Sequence, residues 1–452
     1  MKEMGGIGRW ALILLLLGNV YGGFAQDANT ARAQHIYELF VAGQGDSIHA
    51  ALNRELQEKL APALFNDSFR QAEKMFGKSI SKGEWKTDSA QGITIYYSDV
   101  EFERYNLRFL VAFDADGALN TIRLVPAPAV STAQPVAYDE TKMDERDITL
   151  GADGYKLPGT LTLPKRAVGP DACRVPCVIL VHGSGPHDCD ETIGPNKPFR
   201  DLAWGLAERG IAVVRYEKRT KVYGAACVPA GRELDYDTEA VDDAVAIVEQ
   251  VRALPELAPD SVYVLGHSLG GTLAPRIAGR SKGLAGIIIL AGLARPLEDA
   301  LEEQFYYTSS LTDSSVNVKA QLDELKQQLA NVKKLGTEEF DETISLPLGQ
   351  PRSYWLFANA YKPVEVAAKL KLPIFVLQGE RDYQVTMEDF GLWRSGLLRC
   401  KNAYFKSYPK LNHLLQEGSG KATPFEYSHA SPVPAYVMDD IASFVRGKQN
   451  TL

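Results

Sequence analysis

The chain has 452 residues, 45% of them hydrophobic, and a formal net charge of −8. That is enough apolar material for one large core and a smaller second one. The acidic balance excludes the basic footprint of a nucleic-acid binder.

Residues 1–25 read as a signal peptide. Lys2 and Arg9 flank the apolar run Trp10–Leu17, which is too short to span a bilayer. Gly23-Phe24-Ala25 offers a small-x-small cleavage site, making Gln26 the mature start. The expectation is a secreted or periplasmic protein with no stable membrane anchor after cleavage; an uncleaved anchor is the alternative.

The five cysteines, Cys173, Cys177, Cys189, Cys227 and Cys400, lack the spacing of a zinc site. In an oxidising compartment Cys173 is expected to pair with Cys177 and Cys189 with Cys227; five free thiols are the alternative.

Residues 28–127 form a separate unit. Ala31–Ala42 has a helical face of Ile36, Leu39 and Phe40. Asp46 or Ser47 is positioned to cap a second helix reaching Leu60, and a third spans Phe65–Phe76. Gly92–Tyr97, Leu107–Phe113 and Leu119–Val125 then read as strands, with a turn at Asp114–Gly117. Helices followed by an antiparallel sheet make a small α+β domain. It carries His35 and His49 without accompanying carboxylates or cysteines, so it reads as a packing or shielding domain, with a ligand-binding cup as the alternative. Residues 128–144 are a linker, Pro- and Ala-rich at the start.

From 145 to 448 strands and helices alternate. Cys177–Val181, Ile211–Tyr216, Val262–Leu265, Leu284–Leu290 and Pro373–Leu377 are mostly apolar rather than alternating. Such strands belong to a mostly parallel, doubly wound sheet covered by helices on both faces.

The organising stretch is Val262-Tyr-Val-Leu-Gly266-His-Ser268-Leu-Gly270-Gly271, a strand running directly into a helix. A nucleophilic serine must be lifted out of the sheet at a tight turn, with nearly side-chain-free neighbours, and Gly266-x-Ser268-x-Gly270 supplies them. The helix that follows aims its dipole at the place where an oxyanion would form. The amide of Leu269 is one expected oxyanion donor. The second is expected on His182-Gly183-Ser184-Gly185-Pro186, after the first parallel strand: Ser184, or Gly183 or Gly185 beside it.

Seven histidines are present, and only His413 and His429 follow Ser268. In this topology the chain order is serine, acid, histidine. His413 sits just past the strand Ala403–Ser407, where the base belongs; His429 lies in a Pro- and Ser-containing tract. The acid belongs at the end of the preceding strand, which offers Asp382 and, as runner-up, Glu380.

Residues 147–446 resemble an α/β-hydrolase of the serine-esterase and serine-peptidase superfamily. His182–Pro186 with Asp188, Asp190-Glu191-Thr192 and Pro195–Phe199, together with Gly379–Thr386 and Leu411–His413, is similar to a group of secreted bacterial esterases or dienelactone-hydrolase-like enzymes that often carry a small α+β domain in front. The resemblance implies Ser268, Asp382 and His413 as a triad. Cys189 departs from that pattern, where arginine is expected.

The stretch between Ser268 and Asp382 is longer than a helix and two strands need. The excess, residues 296–365, reads as a helical cap insertion bearing Tyr306, Tyr307, Tyr354, Trp355, Phe357 and Tyr361, which either line an apolar pocket or pack the cap. The expected function is hydrolysis of small-molecule carboxylic esters through an acyl-enzyme, with no metal or organic cofactor. A serine peptidase using Glu298, Glu302 or Glu303 to hold a substrate amine is one alternative; a non-catalytic binding protein is another.

Overall fold

The computed structural model describes residues 29–447 except 91–92, 104, 128–137, 153, 170–172 and 312–318. The signal-like residues 1–25 and most of the expected linker therefore lie outside the described residues. Two compact units are present: among the described residues, one covers 29–127 and the other 138–310 and 319–447.

In the first unit, helices over 29–41, Gly45–Ala51, Arg54–Lys59, Ala63–Asn66 and Ser68–Phe76 precede an antiparallel sheet. Its strands are β1 (Ser79–Lys82), β2 (Lys86–Ala90), β3 (Ile93–Phe102), β4 (Asn106–Phe113) and β5 (Leu119–Pro126). β1 and β2 both pair with β3, which continues to β4 and β5. Ile36, Phe40, Phe65, Phe69, Val100, Phe109 and Val111 form the core. The expected single helix to Leu60 is broken at Leu52-Asn53. Leu52 bridges to Leu119 and the Asn53 amide donates to the Leu119 carbonyl at 2.9 Å, so the sheet takes these two residues out of the helix. Neither Asp46 nor Ser47 caps: Gln44 precedes the first helix without a side-chain bond, and Asn53 caps the second by accepting from the Leu56 amide.

The second unit is built on eight strands: β6 (Met143–Leu150), β7 (Leu157–Pro164), β8 (Val175–Val181), β9 (Ala212–Tyr216), β10 (Leu257–His267), β11 (Gly286–Leu290), β12 (Ile374–Gly379) and β13 (Ala403–Tyr408). Their spatial order is β6-β7-β9-β8-β10-β11-β12-β13. The two pairings made by β7 are antiparallel and the rest parallel. From β8 the chain crosses to β9 on one side and then back to β10 on the other. That reversal opens a crevice at the carboxyl ends of β8 and β10, where ligands of open α/β sheets bind.

Both sheet faces are covered. Phe199, Leu202 and Leu206 of Pro198–Glu208 and Val437 and Ile441 of Ala435–Val445 pack one face against Val178 and Leu180. Ile247 and Val251, Leu273 and Ile277, and Phe390 and Trp393 pack the other against Ile179 and Val264. The insertion holds helices Leu297–Ser310, Lys319–Val332, Arg352–Ala360 and Pro363–Ala367. Among the described residues no helix is long and apolar enough to cross a membrane.

The expected disulfides are not formed, and all five cysteines are free. Cys177 is an inward residue of β8, fully buried in the apolar core, whereas Cys173 is exposed and its thiol faces the Arg166 carbonyl. Cys189 lies against Glu217, and Cys227 is buried on a short turn beside Arg219.

Candidate active site

The backbone at Ser268 is bent into φ 54°, ψ −116°, a region that non-glycine residues avoid. Two close approaches explain the flanking glycines. A Cβ on Gly266 would sit 2.0 Å from the Gly270 carbonyl oxygen, and one on Gly270 2.2 Å from that of Val181. The Ser268 amide is pinned to the Leu290 carbonyl at 2.9 Å. Leu269 then opens the helix Leu269–Arg280, and its amide has no acceptor among the described residues.

The loop after β8 passes beside this bend. A Cβ on Gly183 would lie 3.2 Å from the Ser268 Cβ. Three buried charged side chains grip the loop. Glu191 accepts the Gly183 amide at 2.6 Å, Lys218 donates to the Gly183 carbonyl at 2.7 Å, and Glu239 accepts the Gly185 amide at 3.3 Å. The Gly183 and Gly185 amides are thereby taken. The Ser184 amide between them has no acceptor among the described residues, and Ser184 shares a cavity lining with Ser268 and Leu269.

Asp382 follows β12 and is 3% exposed. Its Oδ1 accepts the amides of Gln384 (2.7 Å) and Val385 (3.1 Å), and its Oδ2 accepts the Gln378 amide group (3.2 Å). The same Oδ2 accepts from Nδ1 of His413 at 2.7 Å. Four acceptances at one carboxylate fix its orientation and that of the imidazole. The loop bearing His413 is organised by buried Arg381, which donates to Glu426 at 2.5 Å and to the Gly420 carbonyl at 2.8 Å. Glu380 instead is exposed and accepts from the Ser407 hydroxyl, and His429 is exposed beside Ser428. In the first unit, His49 bonds the Gln57 carbonyl.

His267, the residue before Ser268, ties these parts together. Its ring lies 4.7 Å from that of His413, its Nε2 meets the His413 carbonyl at 2.9 Å, and its Nδ1 meets Glu191 at 2.8 Å. Burial opposes charge on Glu191, but the charge and hydrogen bond of His267 outweigh it and hold the carboxyl at about 2. Burial likewise opposes charge on His267, and Glu191 outweighs it to raise the imidazole above 6.5.

A cavity of about 110 Å³ opens at Ser268. The core gives it Ser184, Tyr236, Leu269, Thr272, Leu293, Gln384 and Val385; the insertion gives it Leu297, Leu301, Gln304, Leu348 and Tyr354. Of the six insertion aromatics considered from the sequence, Tyr354 alone lines it. Trp355 is buried on the Pro347 carbonyl, Tyr361 donates to the Thr272 carbonyl, Tyr307 to that of Ala422, and Phe357 packs on Tyr236.

A family model described as serine aminopeptidase, S33, matches residues 175–417. Esterase EstD of Thermotoga maritima is 37% identical over 351 residues, which is 78% of this chain and 79% of that protein. The chain belongs to this S33 α/β-hydrolase family. Residues 33–121 match a separate family, described only as a protein of unknown function. Among solved structures, the chain is similar to Est1E from Butyrivibrio proteoclasticus (18% identity, 68% of this chain and 99% of that one, TM-score 0.44). It is also similar to a puromycin-hydrolyzing peptidase of Mycobacterium tuberculosis (15% identity, 82% and 49%, TM-score 0.46).

The S33 match runs from β8 to just beyond His413, so it spans all the elements that converge on the cavity. Sequence reasoning assigned no role to Glu191, Lys218, Glu239, Arg381, Gln378 or His267. The available signal was weak: polar residues inside or just after otherwise apolar or glycine-rich stretches at β8, β9, β10 and β12, with no fixed spacing between them.

Proposed function

We propose that the protein is an exported serine esterase that cleaves small carboxylic esters through an acyl-enzyme. The observation that carries this reading is the pairing of a strained serine elbow with two unengaged amides, Ser184 and Leu269, at one cavity beside a buried Asp382–His413 pair. Ser268 Oγ attacks the ester carbonyl and passes its proton to Nε2 of His413. The amides receive the oxyanion. Collapse breaks the bond to the alcohol, which leaves with the proton from His413. Water, deprotonated by His413, then releases the acid. Asp382 keeps the proton of His413 on Nδ1, leaving Nε2 free to accept.

The leaving alcohol must lie on the His413 side to be protonated. The cavity is lined by the nucleophile and both amides but not by His413, so it is the acyl side. At about 110 Å³ it is smaller than the ~300–1,000 Å³ pockets that take drug-sized ligands, which favours short acyl chains. The relationship to Esterase EstD supports ester over amide. An aminopeptidase needs carboxylates free to hold an amine at the pocket. Glu303 is occupied by Arg295, and neither Glu298 nor Glu302 lines the cavity.

The test is labelling by a serine-reactive phosphonate, followed by comparison of a short-chain nitrophenyl ester with an aminoacyl nitroanilide. The expected result is labelling lost in Ser268→Ala and turnover of the ester only. Preference for the anilide would overturn the ester assignment; absence of labelling would leave only a binding protein. Export rests on residues 1–25 alone, and a mature amino terminus at Gln26 in periplasmic or secreted protein is its check.

A further inference from the structure

The Glu191–His267 pair is buried, charged, and unused by the chemistry above. Glu191 is 1% exposed and His267 4%. Glu191 also adopts φ 52°, a conformation that only a strongly held non-glycine residue keeps. Its Oε1 takes the amide of Gly183, next to Ser184, and its Oε2 faces Nδ1 of His267. On the far side of the ring, Nε2 faces the carbonyl of His413.

Two acceptors therefore face the two ring nitrogens of one imidazole. A neutral ring carries one N–H and would leave a buried lone pair against an oxygen, so both nitrogens must donate. We propose that Glu191 is a positioning residue that, through a permanently protonated His267, holds the oxyanion loop and the His413 loop in register on either side of Ser268. This rests on the esterase reading above. The chain of contacts runs from the Gly183 amide to Glu191, to the imidazolium, to the His413 backbone, so the pair frames Ser268 without touching substrate. His182, His187 and Asp382 are the other titratable groups whose charges act on this pair, and the His413 ring lies 4.7 Å from that of His267. The directions of its own shifts, Glu191 down and His267 up, agree with an ion pair.

The experiment is ring-nitrogen NMR of histidine-labelled full-length enzyme, with Glu191→Gln and Glu191→Ala compared by phosphonate labelling and ester kinetics. In the wild type, the His267 ring should show two protonated nitrogens from pH 6 to 8. Glutamine can still accept from Gly183 and can donate to Nδ1, so His267 should turn neutral while the Nε2 contact survives. Its kcat should fall about tenfold with KM within twofold. Alanine strands two buried donors and should lower kcat about a hundredfold, the scale of a 1 Å misplacement. A neutral His267 in the wild type, or a labelled Glu191→Ala enzyme with unchanged kcat, would overturn the proposal and leave the esterase reading standing. A wild type that neither labels nor turns over ester would overturn both. Should Glu191→Ala not fold, the wild-type NMR and Glu191→Gln kinetics decide.

Discussion

Lys218 and Glu239 form a 2.5 Å ion pair whose side chains are only 2% and 4% exposed, and each also holds one peptide group of the loop that carries Ser184. The pair thus does two jobs at once. It cancels two buried charges, and it leaves Ser184 as the loop's unengaged amide. Removing one partner should be costly. Lys218→Met is expected to lower unfolding free energy by about 3–5 kcal/mol, because Glu239 stays buried without its cation. The double variant Lys218→Met/Glu239→Gln should recover much of that loss in urea titrations yet remain slow on ester, since the Gly183 carbonyl and its loop are no longer gripped. Equal stability of the single and double variants would contradict this account.

Asp382→Asn separates charge from shape. Asparagine can keep its Oδ1 in the nest of donors from Gln384 and Val385, but its NH2, in place of Oδ2, gives up the bond from Gln378, donates to Nδ1 of His413 and forces the proton onto Nε2. The tautomer is then wrong for accepting from Ser268. A fall of about 10⁴ in kcat with near-native stability is expected, against about 10⁶ for Ser268→Ala. Steady-state turnover of a short nitrophenyl ester measures both. A fall of less than tenfold in Asp382→Asn would remove Asp382 from the proposed role.

Much of this arrangement was legible because it is local. The apolar strands β8 to β12 and the glycines at 266 and 270 are short-range patterns with a steric cause, and Asp382 meets His413 because each follows one of two neighbouring strands, β12 and β13. What was not legible is long-range. Glu191, Lys218 and Glu239 lie on three different loops and elements, and their meeting at Gly183 depends on the sheet reversal at β8. The glutamate at 239 is carried on a turn of π-helix, Asp237–Val241, an irregularity that no short sequence pattern announces. The disulfides failed for a related reason. Cys177 lies on β8, buried on both faces and packed into the core, while Cys173 stays exposed on the loop before it.

His182 makes stability depend on acid in a way that can be isolated. Burial, its largest influence, pushes the imidazole from 6.5 to about 3. Nε2 is bonded to the Asp188 carbonyl and Nδ1 has no partner, so the ring is a neutral donor. Between pH 6.5 and 3 the unfolded chain binds a proton here that the folded chain does not. Stability from this group is therefore fully present above 6.5 and is lost as pH falls, on the order of 5 kcal/mol at the bottom of the window. By pH 4.5 about 3 kcal/mol should be gone. Urea midpoints at pH 7 and 4.5 for wild type and His182→Gln test it, with the variant losing less on acidification. Parallel losses in the two proteins would refute the assignment.

Leu348 supplies a test in which stability and activity move apart. It is 62% exposed, lies on the short turn Pro347–Gly349 at φ 60°, and yet lines the cavity at Ser268. A leucine in left-handed backbone costs about 1 kcal/mol, and so little of its surface is buried that the free protein recovers little in exchange. The turn is held in place by the Trp355 indole N–H on the Pro347 carbonyl. An acyl chain longer than the cavity accepts would run out across Leu348 and cover it. Leu348→Gly should therefore leave the unfolding midpoint unchanged or higher. It should leave acetyl ester hydrolysis within twofold and lower kcat/KM for a hexanoyl ester about fivefold, the value of partly burying one leucine. Equal losses on the two esters would mean that Leu348 shapes the turn and does not meet the acyl chain.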